Sequence, residues 1–465
     1  MKKFLSALVA LMMTVPLLCV PKVNAVNFTL KTPLKSESVV LINRDTDTII
    51  NEKNADTRQM PGPLVNIMTA VIVLENCNNI NQEIVMDENV YSDIIFNSEY
   101  PDDVRTADIC NGDVFTVTDL LYAMMLTSSM EASQTLAYYV GGSNVDNFVN
   151  LMNQKADELG LENTHFTNPT GLYDSNQYTT ARDMATLTQY ALNVSIFEQI
   201  ATTYEYKPTV PNQANHEDFN EWTWKHSNEM MNPESSSYYN SAKGIKTATL
   251  EETGRNIVTL SSKDGNNYLA ILMKSPINDE DGNLVYYHIE DAIELFDWAY
   301  THISYQVLLS DTAEIGELPV ELADGNDYVL ARPAKEVSML WYDEIDVAAV
   351  NKYDIKWYQK SLYAPVKKGE PLGEVTLKYN GEELETVELV AVSDVKRSSS
   401  KYNLFALKQF KDTKWFSTAL TVSIILCAIY ILMCTYSYAV YRNRKREEDA
   451  RRRANFKRES QKSDE

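Results

Sequence analysis

Histidine and cysteine are scarce, with five of each in 465 residues. His165, His216, His226, His288 and His302 are scattered and form no H-E-x-x-H pattern. No Cys/His spacing matches a zinc site, so no metal and no cofactor is expected. Basic charge is in deficit, with 42 Lys and Arg against 65 Asp and Glu and a net charge of −23. The segment 442–465 is itself net basic, so the acidic excess lies in the body of the chain. Such a body argues against nucleic-acid binding by bulk electrostatics and reads as a solvated acidic surface. No internal repeat is present.

The two ends carry the long apolar runs. MKKFLSALVALMMTVPLLCVPKVNA (1–25) has the charged start, apolar run and small-residue cleavage site of a secretory signal, with an uncleaved anchor helix as the competing reading. Cys19 follows Leu17-Leu18 and not a small residue, which weakens a lipoprotein reading. Trp415 to Tyr441 has no charged residue and is long enough to cross a bilayer. Trp415 stands at one edge and Tyr436, Tyr438 and Tyr441 at the other, as interfacial aromatics do. RNRKREEDARRR follows, and the positive-inside rule places the 442–465 tail in the cytoplasm and the body outside. With Cys427 and Cys434 in the apolar run, Cys77 and Cys110 remain outside it, either as a disulfide or as two buried thiols.

At 465 residues and 44% hydrophobic, the chain can build two cores. SVVLINRDTDTIINEK (38–53) reads as a hairpin. Leu64, Ile67, Met68, Val71 and Ile72 repeat at helical spacing. Thr116-x-x-Asp119, Ser143-x-x-Asp146 and Thr180-x-x-Asp183 each open a further helix, and Gly160 closes the second of these. NIVTLSS and YLAILMK flank an Asp-Gly turn at 264–265, and YYHIEDAIELFDWAY closes the region as an amphipathic helix. These elements predict an α/β domain over 26–303 whose sheet draws strands from both ends of the segment. From about 304 to 397 the pattern is short strands and turns, with Asn380-Gly381 between LGEVTLKY and ELETVELVAV. A small all-β sandwich is expected there, followed by a linker over 398–414, the transmembrane helix 415–441 and the tail.

The segment 38–303 resembles the serine-type D-alanyl-D-alanine carboxypeptidases, the low-molecular-mass penicillin-binding proteins of peptidase family S11. The residues that carry the resemblance are Arg58, Pro61 and IMTA (67–70), then GDVFTVTDLLYAMML (112–126) and LGLENTHFTNPTGL (159–172). YTTARDMATL (178–187) and GIKTAT (244–249) continue it, and LYAPVKKGEPLGEV (362–375) resembles the β domain that follows. The resemblance implies a β-lactamase/transpeptidase-like domain that trims the terminal D-Ala of peptidoglycan stem peptides. Stem peptides, or cell-wall and division proteins, are then the expected partners, with no nucleic acid.

That chemistry rests on three motifs, and each is altered here. Ser-x-x-Lys puts nucleophile and base one turn apart on one helix face. The matching positions are Pro63 and Asn66, which supply neither. Proline does suit the first turn of a helix, so the scaffold tolerates it. Ser-x-Asn becomes Ser128-Ser129-Met130, and Lys-Thr-Gly becomes Lys246-Thr247-Ala248. No catalytic residue is therefore expected at Pro63, Asn66, Ser128 or Met130, while Lys246, Thr247 and Ser128 are candidates for substrate binding. Ser393-x-x-Lys396 and Ser398-x-x-Lys401 match the bare pattern but precede no apolar helix. Ser128 or Ser129 paired with Lys246 is the stronger candidate for a relocated nucleophile. The expected protein is a membrane-tethered pseudoenzyme of the cell wall, with an active carboxypeptidase as the alternative.

Overall fold

A computed structural model describes residues 28–208, 222–350 and 352–462. The segment 1–25, read above as a secretory signal, lies outside the described residues, as does His216. The chain divides into two compact units. The first runs to Gln306 and takes in 338–351 and 379–384; the second holds the remaining strands and the C-terminal helices.

The first unit is built on a five-stranded antiparallel sheet. Its order is Thr48–Lys53, Ser38–Asn43, Asn266–Ser275, Gly254–Lys263, Ala242–Leu250. The N-terminal hairpin thus pairs with strands that arrive more than 200 residues later, as the pattern at both ends predicts. Asp264 and Gly265 both take positive φ, +52° and +83°, which suits an Asp-Gly hairpin turn. Helices pack over the sheet. In the helix Asn66–Asn76 the first eight residues are all buried. It carries the short turn Gly62–Val65 into the core, where Leu64, Val65, Ile67 and Met68 are fully enclosed. Each such side chain contributes about 1.5–3 kcal/mol by leaving water.

Thr116 and Asp119 form the reciprocal capping box of the helix Val117–Thr127. Thr180 caps Ala181–Ala191 by accepting from the Asp183 N–H. The expected cap at Ser143 is displaced by one residue. Asn144 accepts from the Asp146 and Asn147 N–H groups of the helix Val145–Glu158, while Ser143 stands in the left-handed region at φ +65°. Either side chain can cap, and backbone direction selects Asn144. Cys77 and Cys110 are both unpaired thiols, and neither is buried.

Ahead of its C-terminal helices, the second unit is built on a six-stranded sheet ordered 352–357, 371–379, 382–391, 328–333, 316–321, 362–363. Asn380 and Gly381 again take positive φ between two long strands. The segment expected to be a linker contains a helix, Ser399–Lys411. Ser398 caps it, the Lys401 ammonium donates to the Ala323 carbonyl at 3.0 Å, and Phe405 packs on Tyr363. Ser398-x-x-Lys401 therefore does open a helix, but one that buries none of its residues. Lys414–Lys462 is a single helix, long and apolar enough to cross a membrane. None of its most apolar stretch is buried.

Candidate functional site

A cleft of about 140 Å³ opens in the first unit at the start of the Gly62–Val65 turn. Pro63, Ser128 and Thr247 line it, bringing together one residue from each altered motif. Gly62 leads in at φ +55°, and a Cβ there would press within 3.4 Å of Leu250 and Ala248. Ala248 itself is buried, so its methyl fills the joint between strand and turn and does not project into the cleft.

Asn66 is fully buried one turn beyond Pro63. Its amide donates to the Ser133 hydroxyl and to the Pro169 carbonyl, both at 3.1 Å. Its Oδ1 has no hydrogen-bond partner among the described residues. The side chain thus joins two helices and a loop, and an amide so held has no basicity to offer. Met130 is also fully buried, at the start of the helix Met130–Val140.

Ser128 sits in the left-handed region at φ +64°, between Val117–Thr127 and Met130–Val140. Its Oγ accepts from the Lys246 ammonium at 2.7 Å. Ser129 is absorbed differently: it is fully buried, and its Oγ accepts from the Ala132 N–H as a helix cap. Of the two serines, only Ser128 meets both Lys246 and the cleft.

Lys246 and Thr247 are neighbours on a strand, so their side chains point to opposite faces. Thr247 faces the cleft, with its hydroxyl 2.6 Å from that of Ser227. Lys246 is fully buried behind it and does not line the cleft. Its ammonium donates to the Met124 and Met125 carbonyls at 3.0 and 2.9 Å, besides Ser128. These acceptors are the exposed carbonyl end of a helix, which favours a cation. Burial opposes it and lowers the amine to about 7. Lys246 reaches a ligand only through Ser128.

Several residues of the cleft carry no signal in the motifs. Thr249 follows Thr247 on the same strand face, and Arg255 lies directly across from Thr249 on the next strand. The Arg255 guanidinium stacks on Tyr286 at 4.4 Å from the ring centre. Its Nε is buried without a hydrogen bond, and it has no ion-pair partner among the described residues. Burial lowers its pKa, and its interaction with the Tyr286 hydroxyl opposes that shift. The pairing runs unbroken from Leu250–Gly254 to Lys246–Val258, so the register of this hairpin is the signal that places Arg255 on the Thr247 face. His288 lines the far wall, and burial lowers it to about 3.

The order of these elements and motifs defines the class. The D-alanyl-D-alanine carboxypeptidase family model of peptidase S11 matches residues 25–276, and the chain belongs to that family. The C-terminal domain of penicillin-binding protein 5 matches residues 344–397. Among curated proteins, D-alanyl-D-alanine carboxypeptidase DacF of Bacillus subtilis is 26% identical over 367 residues, which is 78% of this chain and 87% of that protein. The D-alanyl-D-alanine carboxypeptidase of Streptomyces sp. K15 is 30% identical over 254 residues, 52% of this chain and 83% of that one. Penicillin-binding protein 5 of Haemophilus influenzae shares the fold at a TM-score of 0.54 and 22% identity, covering 80% of this chain and all of its own. This is a D-Ala-D-Ala carboxypeptidase-like protein with a long apolar C-terminal helix.

Proposed function

We propose that this chain is a membrane-anchored cell-wall protein that binds D-Ala-D-Ala-ended stem peptides without cutting them. One observation carries the reading. Pro63 and Asn66 occupy the nucleophile and base positions at the head of a well-formed buried helix, while Ser128, Thr247 and Arg255 line the cleft beside Pro63. Acyl transfer needs an attacking atom and a group to take its proton, and these two side chains offer neither. The Arg255 guanidinium and the hydroxyls of Thr247 and Thr249 suit a carboxylate end. A secretory leader and a basic tail after the apolar helix favour a body outside the cell, tethered by its C-terminus.

A second reading has its own support. Ser128 and Lys246 are 2.7 Å apart, and an amine lowered to about 7 is partly neutral at physiological pH. It then has a lone pair with which to draw the Ser128 proton. In this reading the protein is an active carboxypeptidase with its nucleophile moved from position 63 to Ser128.

The full-length protein in detergent, incubated with a fluorescent penicillin and separately with a D-Ala-D-Ala peptide, separates the two. Binding of the peptide with no covalent adduct and no released D-Ala is expected. An adduct mapped to Ser128 would establish the second reading, and absence of any peptide binding would sink the first.

A further inference from the structure

The helix Ser399–Lys411 has two unlike faces. One is fastened to the β unit. The Lys401 ammonium donates to the Ala323 carbonyl, and Phe405, one turn on, packs against Tyr363 with 5.7 Å between ring centres. The Arg397 guanidinium lies 4.0 Å over the Tyr402 ring and holds the entry to the helix. The other face is apolar and open. Leu404, Leu407 and Phe410 follow one another at steps of three and so form one stripe. They stand 71%, 54% and 47% exposed. Lys408 and Lys411 border the stripe, and the helix contains no Asp or Glu.

Its place in the chain says what covers this face. Asp412 and Thr413 alone separate the helix from Lys414–Lys462, and two residues reach about 7 Å at most. Thr413 begins the next helix by accepting from the Phe416 N–H at 3.2 Å, and Phe410 meets Phe416 edge-on with 5.2 Å between ring centres. Trp415 then opens the uncharged run. The stripe therefore ends where the membrane-crossing helix begins.

We infer that Ser399–Lys411 lies flat on an anionic lipid surface, on the body's side of the membrane. Leu404, Leu407 and Phe410 enter the boundary between headgroups and acyl chains, and Lys408 and Lys411 sit among the lipid phosphates. Because Lys401 and Phe405 hold the same helix to the β unit, the helix is a bracket that sets the height and tilt of that unit over the bilayer. The inference rests on the Trp415–Tyr441 span and is independent of what the cleft binds.

The full-length protein in lipid nanodiscs tests it. Nitroxide labels are placed by L404C, L407C, Q409C or I425C in a chain whose five cysteines are changed to alanine. Access to oxygen, relative to a water-soluble nickel chelate, is expected to be several-fold higher at 404 and 407 than at 409, on the opposite side of the helix. The label at 425 reports the span by itself. Backbone exchange over 402–411 in the unsubstituted protein gives a reading that needs no label. It is expected to be several-fold slower in phosphatidylglycerol than in phosphatidylcholine discs, and K408Q/K411Q should erase that difference. Labels at 404 and 407 as open to nickel as 409, with 425 in lipid, would overturn the inference and leave the span standing. A water-exposed 425 would overturn both. Dipolar broadening between labels at 404 with oxygen excluded would assign the stripe to a second copy of the chain and overturn the lipid surface as its cover. Equal exchange in the two lipids would overturn the role of the lysines.

Discussion

The Lys246 ammonium donates to the Ser128 hydroxyl at 2.7 Å, and together they close the inner wall of the cleft. The pair is held from behind by the Met124 and Met125 carbonyls, so Lys246 is a buried strut and Ser128 is its only contact with the cleft. S128A removes one acceptor from a buried amine and is expected to destabilise the protein by about 1–3 kcal/mol. Urea unfolding measures that loss. If Ser128 were a nucleophile, the same variant would also remove a penicillin adduct that the wild-type chain forms.

Restoring the missing pair tests the scaffold. P63S alone is expected to give no adduct, because the Asn66 amide cannot take the new hydroxyl's proton. P63S/N66K is expected to regain slow acylation by penicillin, read by intact mass. Labelling of P63S alone would point to another base within reach, with Lys246 the first to examine.

Arg255 governs ligand charge. R255A is expected to weaken binding of a D-Ala-D-Ala peptide about tenfold or more, and R255K to restore only part of it, since a bidentate fork is lost. A peptide amidated at its C-terminus should bind R255A and wild type alike. Equal loss for the acid and the amide would place Arg255 in a structural role.

Stability is expected to rise with pH on two arms. His226 is lowered to about 4 and His288 to about 3, each by burial first, from an ordinary 6.5. Both stay neutral in the fold; His226 accepts the Asn228 N–H on Nδ1, which a charged ring cannot do. Between those values and 6.5 the unfolded chain binds more protons, so stability falls as the solution is acidified. Lys246, lowered to about 7 from 10.5, does the same between about 7 and 10.5. Each group gives a slope of up to ~1.4 kcal/mol per pH unit. Urea unfolding across pH measures the slopes; H288Q should remove one proton from the acid arm, and K246M should flatten the alkaline arm.

Much of this protein is legible in the order of its residues. Local chemistry determined the hairpins at Asp264-Gly265 and Asn380-Gly381, the caps at Thr116 and Thr180, and the uncharged run from Trp415 to Tyr441. The loss of nucleophile and base at Pro63 and Asn66 is equally local, because a residue that lacks an atom lacks it in any fold. Tertiary structure decided the rest. Strand alternation sent Lys246 behind the wall and Thr247 into the cleft, though the two are adjacent in sequence. Cross-strand pairing brings Arg255 to Thr249. Glu131 became a buried carboxylate when a loop twenty-odd residues earlier folded over it and the Ala107 N–H donated to it. Propensity and capping depend on near neighbours in the chain, whereas the partners of a buried charge come from distant segments.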